Sequence, residues 1–439
     1  MVSAVPAPLS EASSRCHRLA PALALRARSP GLRLYVALVL ALTLGLAVLV
    51  CDAASEAISS RARSAPSAPQ ADDLSALHTH AEAMLERART SQMPDDYKRA
   101  DGVVAQALER APDHPRTLAL KAWTQMNAHR FREALRDAQS ALERDENDRV
   151  ALAVAADAAT ELGLYEAAIG FTDRLLARRT NLPALTRAAH LRYLHGDLSG
   201  ALELAERQFN QFGNDESTAA WSLLQLSELY LAAGQLDRAD QAAQAARELK
   251  RDAAQPLAQR AKVAEARGNF AAAQALYRQA NAIQVNAEHA LGMLRCAMIT
   301  NNRAEAQRAR TLLAGLAKLD ALNGALGDRT FAEFYLLQGD LVQAERLARR
   351  ELERRPDVYS QSQLGWILLA RADAAAARPH AEQSIATASA DPLLAYRAGR
   401  IFEAVGDKDR GAKLIARACQ ANPGLCMVQR SARRTRAKT

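Results

Sequence analysis

Apolar and polar positions along this chain follow a helical period, and they do so most clearly in the stretch from Gly268 to Ala280. Gly268 ends one helix, and Asn269 is a suitable cap for the next. Phe270, Ala273, Tyr277 and Ala280 then recur at helical spacing and share one face. The same pattern is written about ten times. Aligned on the small residue in the middle of the second helix, it has anchors at Ala100, Ala134, Ala168, Ala201, Ala239, Ala273, Ala306, Ala344, Ala377 and Gly411. Successive anchors are 33 or 34 residues apart, apart from two gaps of 38. Three residues before most of them stands an apolar side chain: Tyr97, Phe131, Tyr165, Leu198, Leu236, Phe270 or Leu341. Five residues before stands a helix-ending glycine in many units: Gly163, Gly196, Gly234, Gly268, Gly339 and Gly406. Pro112, Pro356 and Pro423 close three of the units. No Asn-Gly hairpin flanked by alternating β-branched runs is present, so the chain reads as all-α.

A helix pair with one apolar face cannot bury that face alone, and stacking on the next pair supplies the core. Small anchors let the helices approach closely, and the bulky residue three positions earlier fills the adjoining gap. The unit around Ala306 departs from the pattern, with Asn301 and Arg303 where the glycine and the apolar residue stand elsewhere. The first unit shows a long loop over Thr90–Asp96. The two 38-residue gaps place insertions near Phe209–Ser217 and Ala314–Gly327, where a kink or a hand-over between sub-arrays is expected.

The period, the glycine turn and the small anchor together resemble the tetratricopeptide repeat over residues 74–424. Other helical repeats fit less well: Sel1-like units are longer, and pentatricopeptide units normally carry a basic RNA groove. The resemblance implies an α-solenoid of about ten helix-turn-helix units in a right-handed superhelix, with a concave face lined by the first helix of each unit. It also implies which positions would touch a partner. Position nine of the first helix falls at Trp123, Asp157, His190, Glu228, Lys262, Arg295, Glu333, Trp366 and Arg400. Position two includes Arg116, Trp221, Tyr359 and Leu393, position twelve includes Met126 and Tyr193, and position five includes Tyr396. All 3 tryptophans thus fall at groove-facing positions. The carboxylate clamp of chaperone-binding members is not reproduced, so its ligand is not carried over. Phe270 and Tyr277, on a second helix, are expected in the core.

Net charge is +8, which would suit nucleic acid if it lay on the body. It does not. Residues 1–51 hold five arginines against Glu11, and residues 427–439 hold Arg430, Arg433, Arg434, Arg436 and Lys438 with no acid, leaving 52–426 close to neutral. No nucleic acid is expected as a partner. Leu34–Cys51 is free of charge, and its eighteen residues span about 27 Å as a helix, enough to cross a bilayer. Arginines precede it and small or acidic residues follow, so residues 1–33 are expected in the cytoplasm and the body outside it. An uncleaved signal anchor is the leading reading. Cleavage near Ala53-Ala54-Ser55 and a lipid anchor on Cys51 are the alternatives, the latter opposed by Val50 where a small residue is usual. Residues 52–73 read as a flexible linker, and 425–439 as a basic tail.

Chemistry is sparse. Metalloprotease, Cys-x-x-Cys, nucleophile-elbow and dinucleotide motifs are absent from the sequence. Gly406–Lys413 has Ala412 where a phosphate-binding loop needs lysine, and it reads as an inter-helix turn. His78 and His80 point to different sides of a helix and read as surface residues. No cofactor, metal site or small-molecule substrate is expected. Cys296 reads as buried, while Cys419 and Cys426 flank the turn-forming run Ala421–Gly424 and are placed for a disulfide that would clamp the terminal helix. The expected function is a non-enzymatic scaffold for a protein or peptide, anchored in a bacterial inner membrane with its body in the periplasm and working in envelope, secretion or export assembly. An adaptor acting through the basic tail, or a regulatory subunit of an enzyme complex, is the alternative.

Overall fold

The computed structural model of the chain describes residues 74–91, 94–178, 181–212, 215–324 and 327–427. The basic N-terminus 1–33, the apolar run 34–51, its cleavage alternatives, the linker 52–73 and the tail from 428 onward lie outside the described residues. Among the described residues, no helix is long and apolar enough to cross a membrane.

The described residues form ten helix pairs. Four of them are α1 (Leu74–Ser91) with α2 (Pro94–Arg110), α3 (Pro115–Asn127) with α4 (Phe131–Arg144), α5 (Arg149–Glu161) with α6 (Tyr165–Arg178), and α7 (Leu182–Leu194) with α8 (Leu198–Phe212). Next come α9 (Glu216–Ala232) with α10 (Leu236–Leu249), α11 (Gln255–Ala266) with α12 (Phe270–Ile283), and α13 (Ala287–Ile299) with α14 (Arg303–Leu322). The array ends with α15 (Asp328–Gln338) and α16 (Leu341–Arg354), α17 (Val358–Ala370) and α18 (Ala374–Ser384), and α19 (Pro392–Ala404) and α20 (Lys408–Ala421). Each pair packs on the next, as the apolar period requires. Every anchor is buried: Ala100, Ala134, Ala168, Ala201, Ala239, Ala273, Ala344 and Ala377 are 0% exposed, Ala306 is 4%, and Gly411 is buried as well.

The turn inside each pair repeats one device. Five residues before the anchor the backbone takes a positive φ, at Gly163 (68°), Gly196 (78°), Gly234 (71°), Gly268 (78°), Gly339 (81°) and Gly406 (92°). Where glycine is missing, His129 (54°), Asn301 (56°) and Ala372 (64°) take the same conformation. Asn301 therefore keeps the Ala306 unit in register despite its divergent residues. Capping is regular too, with Asp148, Asn181, Asp215, Asn286, Asp357 and Asp391 accepting first-turn amides of first helices, and Asn269 accepting from Ala272 at 3.3 Å.

Some expectations are corrected. The loop expected at Thr90–Asp96 is mostly helix, because α1 runs to Ser91 and α2 starts at Pro94. The insertion at Ala314–Gly327 lengthens α14 to 20 residues and leaves Leu319 and Leu322 exposed. It causes no break in the core, since one buried cluster runs from Ala254 to Phe402 across it. His78 is not a surface residue: it is 8% exposed, and its Nε2 lies 2.7 Å from Thr117 Oγ1. Tyr277 is buried and Phe270 packs on the same cluster, as their face predicts.

The array also closes on itself, which no local pattern announces. Turns inside the second to sixth pairs meet the connections that enter and leave the ninth and tenth. Arg132 Nη1 donates to the Glu353 carbonyl at 2.7 Å, Arg355 Nε lies 2.9 Å from Glu161 Oε2, and Ala390 N–H donates to the Tyr193 carbonyl at 3.1 Å. Leu194, Val358 and Leu394 form a small buried cluster in this seam, with Tyr165, Tyr193 and Tyr359 packed on it. Backbones touch at the glycine turns: a Cβ on Gly163 would sit 2.7 Å from the Pro356 carbonyl oxygen, and one on Gly196 would sit 2.6 Å from that of Ala388. Further along, Ala421 lies against Gly234, and Gly424 and Met427 lie against the α11–α12 turn.

Candidate binding surface

Position nine of the first helices forms a row along the array, but most of its charged members are engaged with neighbours. Glu228 Oε1 on α9 lies 2.9 Å from Lys262 Nζ on α11. Arg295 on α13 makes a two-pronged contact with Glu265 on α11, at 2.7 and 2.8 Å. Asp157 on α5 pairs with Arg187 on α7 at 2.6 Å, and Glu333 on α15 with Arg397 on α19 at 2.8 Å. Arg400 pairs with Glu403 on its own helix. At position two, Arg116 spans from Glu82 to Asp148, the cap of α5, at 3.1 Å for the latter. First helices are thus stitched to one another along this row by ion pairs.

These groups stand in a walled, partly desolvated space. The Lys262 charge holds the Glu228 carboxyl below its ordinary range, and Glu228 raises Lys262 in return. His190 is exposed to solvent, yet the surrounding protein lowers its pKa by desolvation, against the opposing pull of Asp157 and Glu228. Solvent touches its ring, but protein fills most directions around it. Burial likewise pushes the phenols of Tyr193 and Tyr359 well up, and it raises the Asp391 carboxyl beside them.

The aromatic candidates divide. Trp123 is half-buried and packs between the cores of the first two pairs, with Met126 beside it. Trp366 is half-buried, with its ring 6.3 Å from that of Tyr396 and the Arg397 guanidinium 5.8 Å from its centroid. Trp221 is half-buried near the start of α9, two turns from Glu228. Tyr359 lies in the seam with Arg329 5.6 Å from its ring, and Tyr193 lies there too. Tyr396 is a correction to the expected groove: it is 6% exposed, packed under α20 with Ala395 and Ala418. Its position faces the tenth pair's own second helix rather than the concavity.

Arg187, Glu265 and Arg397 were missed as members of this surface. They occupy positions six and twelve of their first helices, so the counting that gave position nine would also have found them. Asp391 and Tyr165 had no such signal, because they matter only through the seam.

Burial pushes the Cys296 thiol far up, and Glu265 beside it adds to the effect. Among the described residues, no group of three or more His, Cys, Asp or Glu converges as a metal site. Cys419 and Cys426 form a disulfide with Cα atoms 5.8 Å apart, at the end of α20.

The repeated pairs, their left-handed turns and the small buried anchors define an α-solenoid like that of tetratricopeptide repeats. No family model matches the chain, and no curated protein matches it in sequence. Among solved structures it is similar to the human IFIT1 dimer with PPP-AAAA, at 16% identity and TM-score 0.49 over 72% of this chain and 73% of that one. It is also similar to a tetratricopeptide repeat protein from Parabacteroides merdae, at 16% identity and TM-score 0.33 over 56% of this chain and 98% of that one. MamA is a third, at 16% identity and TM-score 0.30 over 37% and 94%.

Proposed function

We propose that the chain is a non-enzymatic scaffold that binds a protein or peptide partner along its concave face. One observation carries this reading: the position-nine row places solvent-reachable His190, Glu228 and Lys262 between the half-buried rings of Trp123 and Trp366. A surface with aromatic anchors at its ends and preorganised charges between them suits an extended peptide, because rigid side chains lose little entropy on binding.

The working site we propose is the bacterial periplasm, with residues 34–51 as a single-pass inner-membrane anchor, residues 1–33 in the cytoplasm and the array serving envelope, secretion or export assembly. The uncharged run behind five arginines supports that topology. The Cys419–Cys426 disulfide supports it as well, since such bonds persist in oxidising compartments.

The test is capture of partners by the full chain and by a Trp123→Ala/Trp366→Ala version. Selective loss of a partner from the double variant is expected, and equal capture by both would remove the groove assignment. A reporter fused after Thr439 that is active only in the cytoplasm would refute the topology.

A further inference from the structure

Charge along the concave face is largely neutralised by the ion pairs between first helices. The seam differs. Where the α3–α4 turn and the start of α4 face the last turns of α16, they leave a cleft of about 520 Å³. One wall carries Arg130, Arg132 and Arg136, the other Arg350 and Arg354, against only Glu133 and Glu353 as acids. Arg350 and Arg354 are both fixed in place by the fully buried Asp328, with Arg350 Nε at 2.6 Å and Arg354 Nη2 at 2.7 Å from its Oδ2. Arg350 nevertheless keeps 43% of its side chain exposed. Arg136 is 69% exposed with only a 3.8 Å approach to Asp137, and Arg130 is exposed with no ion-pair partner among the described residues. Asp328 and Glu351, the latter 2.9 Å from Arg354 Nη2, offset Arg350 and Arg354, so the excess of positive charge lies with Arg130, Arg132 and Arg136 against Glu133 and Glu353. Burial and the charges of Arg355, Arg354 and Arg329 together hold the neighbouring His129 neutral.

The spacing of the arginines selects the ligand. Arg132 and Arg136 are one helical turn apart, as are Arg350 and Arg354, a rise of about 6 Å. Side chains on one side of an extended chain repeat at roughly 7 Å, nearly the same interval. On the α4 wall a strand with carboxylates at alternate residues reaches both Arg132 and Arg136, whereas a single small anion reaches one; Arg350 and Arg354 instead converge on Asp328. The planar guanidinium fork suits carboxylates in a two-pronged contact.

We propose that this cleft is a second docking site, which takes an extended acidic peptide segment of a protein partner. It goes beyond the concave-face reading and does not depend on it. Because its walls come from the second and eighth pairs, a bound segment also ties the seam shut.

The experiment titrates a fluorescein-labelled peptide of alternating Glu and Ala into the full chain at about 50 mM and about 200 mM salt. Saturable binding that weakens with salt is expected. Arg130→Glu/Arg136→Glu should weaken it by about tenfold, Arg130→Lys/Arg136→Lys should weaken it less, and Trp123→Ala should leave it unchanged. Both altered arginines face solvent, and circular dichroism verifies that each variant folds. Absence of saturable binding at low salt, or equal affinity in the charge-reversed variant, overturns the proposal. So does displacement of the peptide by an equal concentration of inorganic phosphate, or tighter binding of a single-stranded oligonucleotide with the same sensitivity to the variants.

Discussion

The phenol oxygen of Tyr165 accepts the backbone N–H of Val358 at 3.1 Å, from 193 positions earlier in the chain. That amide is the first in α17 and has no partner within its own helix, so the seam supplies the missing acceptor. Burial pushes the Tyr165 phenol up to about 12, which keeps it protonated. Tyr165→Phe should cost about 1 kcal/mol of stability and raise hydrogen exchange at Val358. Unchanged exchange there would mean that the seam amide is satisfied in some other way.

A pair of glycines tests the closure itself. Gly163 and Gly339 both have positive φ, so alanine at either is strained by about 1 kcal/mol. Around Gly339 a new Cβ meets nothing within 4 Å, whereas at Gly163 it would meet the Pro356 carbonyl at 2.7 Å. Gly163→Ala should therefore destabilise more than Gly339→Ala and enlarge the radius of gyration seen by small-angle scattering. Equal destabilisation with an unchanged radius would show that the seam is open in solution.

His129 makes the seam sensitive to acid. Burial first, then the charges of Arg355, Arg354 and Arg329, lower its pKa from 6.5 to about 4. Between those values the unfolded chain binds a proton that the native chain refuses, so stability falls as pH drops from about 6.5 to about 4. The contribution is on the order of 3 kcal/mol at most. Glu161, raised by burial, acts with the opposite sign, so native and His129→Asn proteins must be compared. Asparagine tolerates the left-handed backbone, and the native protein should gain stability relative to His129→Asn by up to that amount as pH rises through the window.

Reducing Cys419–Cys426 should loosen the last seam contact. The bond closes a loop over a sequence separation of 7, which corresponds to roughly 2 kcal/mol of chain entropy. It holds Gly424 against the Glu265 carbonyl and Met427 against Gly268. Hydrogen exchange at residues 265–270 should rise on treatment with dithiothreitol, whereas residues 100–110 should not change. Cys419→Ser should behave as the reduced protein does under oxidising conditions.

Much of the fold was legible in the sequence because each unit is a local object. A glycine five positions before a small anchor specifies a left-handed turn, and even where Asn301 replaces it the turn survives, since asparagine tolerates that conformation. The core status of Tyr277 followed from a face that only its own helix and the next could cover. The position-nine row was legible in position but not in state. Counting placed Glu228, Lys262 and Arg295 at one position of their first helices, yet whether each is free or paired depends on how closely neighbouring first helices approach. Tyr396 shows the limit, as the position it shares with groove residues elsewhere is covered by α20 in the last unit.

The sequence by itself determined the helices, their turns, their register and the direction in which each pair stacks, since all of these rest on contacts within about one repeat. Only the tertiary structure decided that the array closes. Small rotations between units add up along the chain, and no single unit records their sum. Tyr165 with Val358, Arg355 with Glu161, and the arginine-lined cleft beside them come from that sum.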